Sequence, residues 1–235
     1  MRFTAPLPGF SAALVQSHAI RIVALGSSST QGIGASSPKA CYPSRLQAEL
    51  RKRYPDKEII VDNLGVGGEL AADMLPRIKT DVLPLHPNLV IWQTGVNDAL
   101  RHVGVEKFSQ MVMLGIDELQ RANTDVVLLD TQYFPRAETV AEFPRYVLAM
   151  RQIAEARRVP LLQRFAIMKY LVTSAHYAPQ QLLAADLFHL NDFSYGCLGR
   201  FLADALQDDV GRINAVKLAP PRAKEAGAVA STPVR

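Results

Sequence analysis

Four short polar stretches of this chain hold residues whose types and spacing could do chemistry. Gly26-Ser27-Ser28-Ser29-Thr30-Gln31-Gly32 offers hydroxyls, and a serine hydroxyl becomes a useful nucleophile once a neighbouring base takes its proton. Asp186-Leu187-Phe188-His189-Leu190-Asn191-Asp192 offers such a base. An aspartate and a histidine three apart at a helix start or turn can set the carboxylate on imidazole Nδ1 and leave Nε2 free. Asn63-Leu64-Gly65-Val66-Gly67-Gly68 is dense in glycine, which suits backbone N–H groups brought close to a ligand. Gly95-Val96-Asn97-Asp98 supplies a side-chain amide, a donor that can meet an oxyanion without adding a charge.

Each stretch taken alone has a plainer reading. A serine-rich segment caps helices, glycine and asparagine build turns, and Asp-x-x-His can be a local polar cap. Asp186, His189 and Asp192 could also ligate a metal, although no His-Glu-x-x-His pattern accompanies them. Nucleotide motifs fail in detail. There is no phosphate-loop lysine pattern, and Gly32-Ile33-Gly34 is followed at the third position by Ser37 rather than glycine. The nucleophile elbow of the α/β-hydrolases fails as well, because Thr30 stands where that motif has glycine.

The elements that must position these loops are legible from the alternation of short β-rich apolar runs with helix-period segments. Strands are expected at 19–25, 58–63, 88–94, 125–131 and 159–162, and helices at 43–53, 105–122, 137–157, 164–175 and 192–211. Between 69 and 86, Pro76 and Pro84 predict a kinked helix or two short ones. This is the pattern of an α/β chain, a three-layer α/β/α fold on a mainly parallel five-stranded sheet. In such sheets ligands bind beyond the carboxyl ends of the strands. The serine, glycine and asparagine stretches follow the first, second and third strands directly.

Length and composition bound the reading. The 235 residues fit one domain, expected at 19–215, with an N-terminal extension at 1–18 and a disordered tail at 216–235. The chain is 49% hydrophobic and 20% charged, enough for a large core, and no apolar run nears the ~18 residues that would cross a membrane. The net charge of +4 sits at the ends: Arg2 in the first stretch, and Lys217, Arg222, Lys224 and Arg235 against Glu225 in the last. A neutral body argues against a nucleic-acid-binding surface. Cys41 and Cys197 lie far apart with no metal-ligand spacing, and read as partly buried small residues. Pro6 and Pro8 interrupt the apolar core a signal peptide needs, so the sequence as written reads as cytoplasmic. A leader removed earlier would make the protein periplasmic or secreted. Oligomeric state is not legible.

In order, the four stretches resemble the conserved blocks of the SGNH hydrolases, the GDSL-type esterases and lipases. Gly26 to Gly32 resembles the first block, Asn63 to Gly68 the second, Gly95 to Asp98 the third and Asp186 to His189 the fifth. The likeness spans positions 20–206. One departure is visible: Ser27 stands where the family has aspartate. The resemblance implies a flavodoxin-like fold and a serine esterase, with Ser28 as nucleophile, His189 as base then acid, and Asp186 orienting His189. It also implies an oxyanion hole from the N–H groups of Ser28 and Gly68 and the amide of Asn97, with no metal or organic cofactor. Ser29 is the alternative nucleophile among the adjacent serines. The implied substrate is a small-molecule, carbohydrate or lipid ester, and the absence of a long apolar lid segment points to short acyl groups, including acetyl on carbohydrate. Acyl transfer or thioester hydrolysis on the same triad, and a non-catalytic binding module on the same scaffold, are the rival readings. The pocket walls are expected at 132–136 and 175–185, with Tyr133, Phe134 and Tyr177 either flanking substrate or packing.

Overall fold

The computed structural model describes residues 3–218, with side chains through residue 213. Along the chain run α1 (Pro8–Gln16), β1 (Ala19–Gly26), α2 (Ser28–Gln31), α3 (Tyr42–Arg53), β2 (Glu58–Gly65), α4 (Ala71–Arg77) and β3 (Leu89–Gln93). There follow α5 (Val96–Leu100), α6 (Val105–Arg121), β4 (Asp125–Leu129), α7 (Phe143–Arg157), β5 (Leu161–Leu162), α8 (Arg164–Thr173), α9 (Pro179–Leu182) and α10 (Asp192–Leu218). The strands form one parallel sheet in the order β2-β1-β3-β4-β5. Its centre is sealed on both faces, and every residue of β3 is buried, which is why that strand reads as a continuous apolar run.

The chain leaves β1 toward β2, then returns across the sheet to β3 on the other side of β1. Crossovers between parallel strands are right-handed, so reversing direction switches the face on which the helices lie. Thus α3 packs with α10 on one face, while α4, α6 and α7 pack together on the other. The strand order reverses at β1 and β3, and the carboxyl ends beside such a reversal are the usual ligand position in sheets of this order.

The expected strands and main helices are present, with instructive differences. The helix expected at 137–157 begins at Phe143 after a 3-10 turn at Pro135–Thr139, because Pro144 has no N–H to continue the ladder backward. The segment with Pro76 and Pro84 is broken as expected, running from α4 through a wide turn at Ile78–Val82 into a 3-10 turn at Leu83–Leu85. β5 is reduced to two residues because Pro160 cannot donate to a ladder, although its carbonyl still accepts Leu128 N–H at 2.9 Å.

The segment before β1, set outside the domain in the sequence reading, packs onto it. Phe3, Leu7, Phe10 and Leu14 are buried in the common core. Two carboxylates dock this segment: Asp209 accepts Leu7 N–H at 2.9 Å and Asp125 accepts Phe10 N–H at 2.8 Å. Proline at the first turn of α1, read as breaking an apolar run, is favoured at that position. The last helix outruns its expected end at 211 and continues to Leu218. The rest of the expected disordered tail, 219–235, lies outside the described residues. Both cysteines are free, Cys41 buried and Cys197 half-buried.

Candidate active site

β1 ends at Gly26 and the chain turns at once into α2, placing Ser28 in its first turn. The turn must be tight: a Cβ on Gly26 would lie 2.2 Å from Thr30 Oγ1. Gln93, at the end of β3 and wholly buried, holds this turn from below. Its Oε1 accepts Ser27 N–H at 3.0 Å, Ser27 Oγ at 3.2 Å and Thr30 Oγ1 at 3.1 Å. The three serines, indistinguishable by composition, are thereby separated. Ser27 Oγ is bound to Gln93, and Ser29 Oγ, with no exposed surface, donates to Gln132 Oε1 at 3.4 Å. Ser28 Oγ has no hydrogen-bond partner among the described residues, and it is not sealed from solvent.

The glycine loop after β2 lies against α2. A Cβ on Gly65 would fall 2.1 Å from Gln31 N, so only glycine permits the approach. Val66 N–H donates to Gly26 O at 2.9 Å, and Gly67 N–H to Gln31 Oε1 at 2.9 Å. Gly68 follows at φ +82° with its N–H unclaimed among the described residues. The same loop is tied to the one after β3: Asn97 Nδ2 donates to Glu69 O at 2.8 Å, leaving its second N–H unused. Asp98 Oδ1 accepts Ala71 N–H at 3.1 Å, fixing the start of α4. Burial pushes the Asp98 carboxyl up to about 6, against the pull of the backbone N–H groups it accepts.

Asp186 and His189 sit on a narrow loop closed by an antiparallel bridge between Leu183 and Leu190. Asp186 Oδ1 accepts the N–H groups of Phe188 and His189, each at 3.0 Å, and Oδ2 meets His189 Nδ1 at 2.5 Å. Burial raises the Asp186 carboxyl, but the His189 ring and those two N–H groups outweigh it and hold the group below its ordinary value. Leu187, between them, takes φ +52°, a conformation a leucine adopts only under constraint. The Nδ1 contact leaves Nε2 free, and the loop leans on the segment after α2. A Cβ on Gly34, itself at φ +90°, would meet Leu190 O at 2.5 Å and His189 Cβ at 3.0 Å. Tyr195 Oη–H donates to Ile33 O at 2.7 Å across the same seam. No hydrogen bond joins Ser28 Oγ to His189 among the described residues, and such contacts commonly tighten only once substrate binds.

Asp192, a possible third ligand in the metal reading, points elsewhere and binds Ser36 through its N–H at 2.8 Å and its Oγ. Beneath the two serine and histidine loops lies a polar seam the sequence reading missed. Arg164, 2% exposed, donates through Nε and Nη2 to Asp130 O at 3.0 and 2.7 Å, and through Nη2 to Gln132 Oε1 at 3.1 Å. Gln132 in turn reaches Phe188 O at 3.5 Å, so one buried amide touches both the Ser29 turn and the His189 loop. Gln93 carried a usable signal, being a polar residue ending an otherwise apolar strand. Gln132 and Arg164 carried none, since their partners come from distant parts of the chain.

Beside the histidine loop a groove of about 340 Å³ is lined by Leu100, Phe134, Arg136, Thr139, Val140 and Phe188. The ring of Phe188 stands edge-on to Phe134 and to His189 at 4.8 and 4.7 Å. A separate apolar pocket of about 210 Å³ opens between α8, α9 and α10, where Tyr177 stacks on Phe193; its lining includes none of Ser28, Gly68, Asn97 or His189. Tyr133 packs edge-on to Phe165 and is a core residue.

Comparison with known proteins supplies the context for this geometry. The profile of a family described as the non-GDSL lipase-like family matches residues 1–212. That description accords with Ser27 standing where the GDSL block has aspartate. No curated protein sequence matches the chain. Among solved structures, a two-domain esterase active on acetylated mannans superposes with a TM-score of 0.72 at 21% identity, covering 90% of this chain and 58% of its own. This chain therefore spans little more than half of that protein. An acetyl xylan esterase from Geobacillus stearothermophilus superposes at 0.66 with 20% identity, over 82% of this chain and 94% of that one. An α/β hydrolase enzyme from the metagenome of Lake Arreo, Spain, superposes at 0.65 with 27% identity, over 82% and 95%. The fold is the one these hydrolases share.

Proposed function

Because the chain belongs to the non-GDSL lipase-like family, we propose that it hydrolyses carboxylic esters with short acyl groups, acetyl above all, through Ser28, His189 and Asp186. The observation that carries the reading is the contact of His189 Nδ1 with Asp186 Oδ2, on a loop packed against Gly34, in the segment that follows the turn holding the one unengaged serine hydroxyl of the first loop. The carboxylate fixes the tautomer, so Nε2 can take the Ser28 proton as Oγ attacks the ester carbonyl carbon. Charge collects on the carbonyl oxygen, where the N–H groups of Ser28 and Gly68 and the spare N–H of Asn97 receive it. Collapse breaks the bond to the alcohol oxygen, which leaves with the proton from His189. Water, deprotonated by His189, then adds to the acyl-enzyme and frees the acid and Ser28. All steps use this chain's own residues.

The mannan and xylan specificities of the similar structures make acetylated carbohydrate the first substrate class to try. The groove lined by Phe134 and Phe188 lies next to His189, whose ring Phe188 meets edge-on, and offers aromatic surface on which a sugar ring can pack.

The test is p-nitrophenol release from acetyl, butyryl and longer-chain esters, with covalent labelling by a fluorophosphonate. Ser28→Ala should lose about 10⁴–10⁶ in kcat and all labelling, while Ser29→Ala keeps both. Labelling that survives in Ser28→Ala and vanishes in Ser29→Ala would move the nucleophile by one residue. No turnover and no labelling of the parent protein would favour a binding module.

A further inference from the structure

Around the mouth of the site the carboxylates have hydrogen-bonding or ionic partners, and two arginines, among the described residues, do not. Glu69 is paired with Arg77 at 2.6 Å, Asp73 accepts Leu70 N–H at 2.9 Å, Asp98 accepts Ala71 N–H, and Asp186 holds His189. Farther along the rim, Glu138 is paired with Lys169 at 3.2 Å and Glu142 with Arg145 at 3.1 Å. Two guanidinium groups have no such answer among the described residues. Arg101 follows α5 and is exposed; a Cβ placed on Gly68 would lie 3.3 Å from its Nη2. Its charge thus hangs beside the N–H expected to meet the ester oxygen. Arg136 lines the groove together with Phe188 and Leu100, the chain neighbours of His189 and Arg101.

We propose that this mouth selects esters bearing an anionic oxygen group, a carboxylate or phosphate, a few bonds from the scissile carbonyl, and that Arg101 is the residue that reads it. The inference rests on the ester-hydrolase reading and narrows its substrate class to acidic saccharides or other acidic esters. The guanidinium fork matches carboxylate and phosphate oxygens pairwise, and an unpaired arginine beside a crevice draws anions into it. A neutral acetylated glucan or xylan would leave both arginines idle. Arg101 stands at Gly68 and shares no hydrogen bond with Ser28 among the described residues, so its role is to discriminate between substrates rather than to take part in bond making.

The experiment compares pairs of esters alike in skeleton and differing in charge. Mono(4-nitrophenyl) succinate is set against its neutral methyl ester, placing the anion on the acyl side. 4-Acetoxybenzoate is set against methyl 4-acetoxybenzoate, placing it on the leaving side, and phenyl acetates with and without a phosphate test the second anion. In the wild type, kcat/KM for the charged member of at least one pair should exceed its neutral partner by about tenfold at low salt and fall toward parity near 1 M salt. Arg101→Gln should bring that ratio close to one and Arg136→Gln should reduce it partway. Arg121→Gln, at the far end of α6, should leave the ratio as it is. Ratios near one for every pair in the wild type overturn the proposal while leaving ester hydrolysis standing, as does a preference that survives in Arg101→Gln. Equal losses on charged and neutral esters also overturn it, because they would put Arg101 on the oxyanion itself. Hydrolysis of no ester at all removes the underlying reading and this one with it.

Discussion

Asp186 spends one oxygen on two backbone N–H groups and the other on His189 Nδ1, so a single carboxylate both shapes the loop and orients the ring. Asn at this position would keep the first oxygen's bonds and turn an N–H toward Nδ1, favouring the wrong tautomer. Asp186→Asn should therefore fold with its thermal midpoint little changed and lose about 10³–10⁴ in kcat. Calorimetry beside steady-state kinetics checks both halves, and retention of more than a tenth of the activity would remove Asp186 from the proposed triad. Because the Asp186 carboxyl is held below its ordinary value, its contribution is present above the unfolded carboxylate range and is lost as pH falls through its lowered folded value. The Ser28 position illustrates what spacing alone cannot decide. Three consecutive serines were equivalent until Gln93 and Gln132 claimed the outer two.

Helix α4 and the loop before it show how an element carries chemistry it does not perform. The start of α4 is pinned to the Asp98 carboxylate, and the preceding Glu69 carbonyl accepts from Asn97, so Gly68 and Asn97 are held as one piece. Asp98 is 1% exposed and burial raises it from 3.8 to about 6. The fold thus favours its protonated form. Its stabilising contribution is complete below the unfolded value and lost as pH rises through about 6. Asp98→Asn keeps an acceptor for Ala71 N–H without the buried charge. Its urea midpoint relative to wild type should rise between mildly acidic and mildly alkaline pH, by the equivalent of about 1–3 kcal/mol. A relative midpoint that falls over that range would show that the ionised carboxylate is the better partner. The proline-rich stretch behind α4 was readable as a break, whereas the joining of two loops by Asp98 was not, since aspartate after asparagine is ordinary turn chemistry.

Across the whole molecule, the docked N-terminal segment and the proposed site occupy opposite ends of the sheet. The serine, glycine and asparagine loops of the proposed site leave the carboxyl ends of β1 to β3, while α1 docks near the start of β4 through Asp125 and on α10 through Asp209. Phe10 is fully buried there. Phe10→Ala should cost about 3–5 kcal/mol of folding stability while leaving kcat per folded molecule close to wild type. Denaturant unfolding together with kinetics below the transition would test this; a parallel fall in kcat would mean that the two ends are coupled.

The linear sequence determined the elements and the order of the chemical blocks, because strand and helix periods are local and each block directly follows a strand. It also carried the class of the sheet, since alternating strands and helices have few parallel solutions. Only the tertiary structure decided which serine is unengaged, that Phe3, Leu7, Phe10 and Leu14 belong to the core, and that Gln132 and Arg164 tie the serine and histidine loops together. Those outcomes depend on pairs of residues far apart in the chain, and only burial in a common interior makes such hydrogen bonds both available and obligatory.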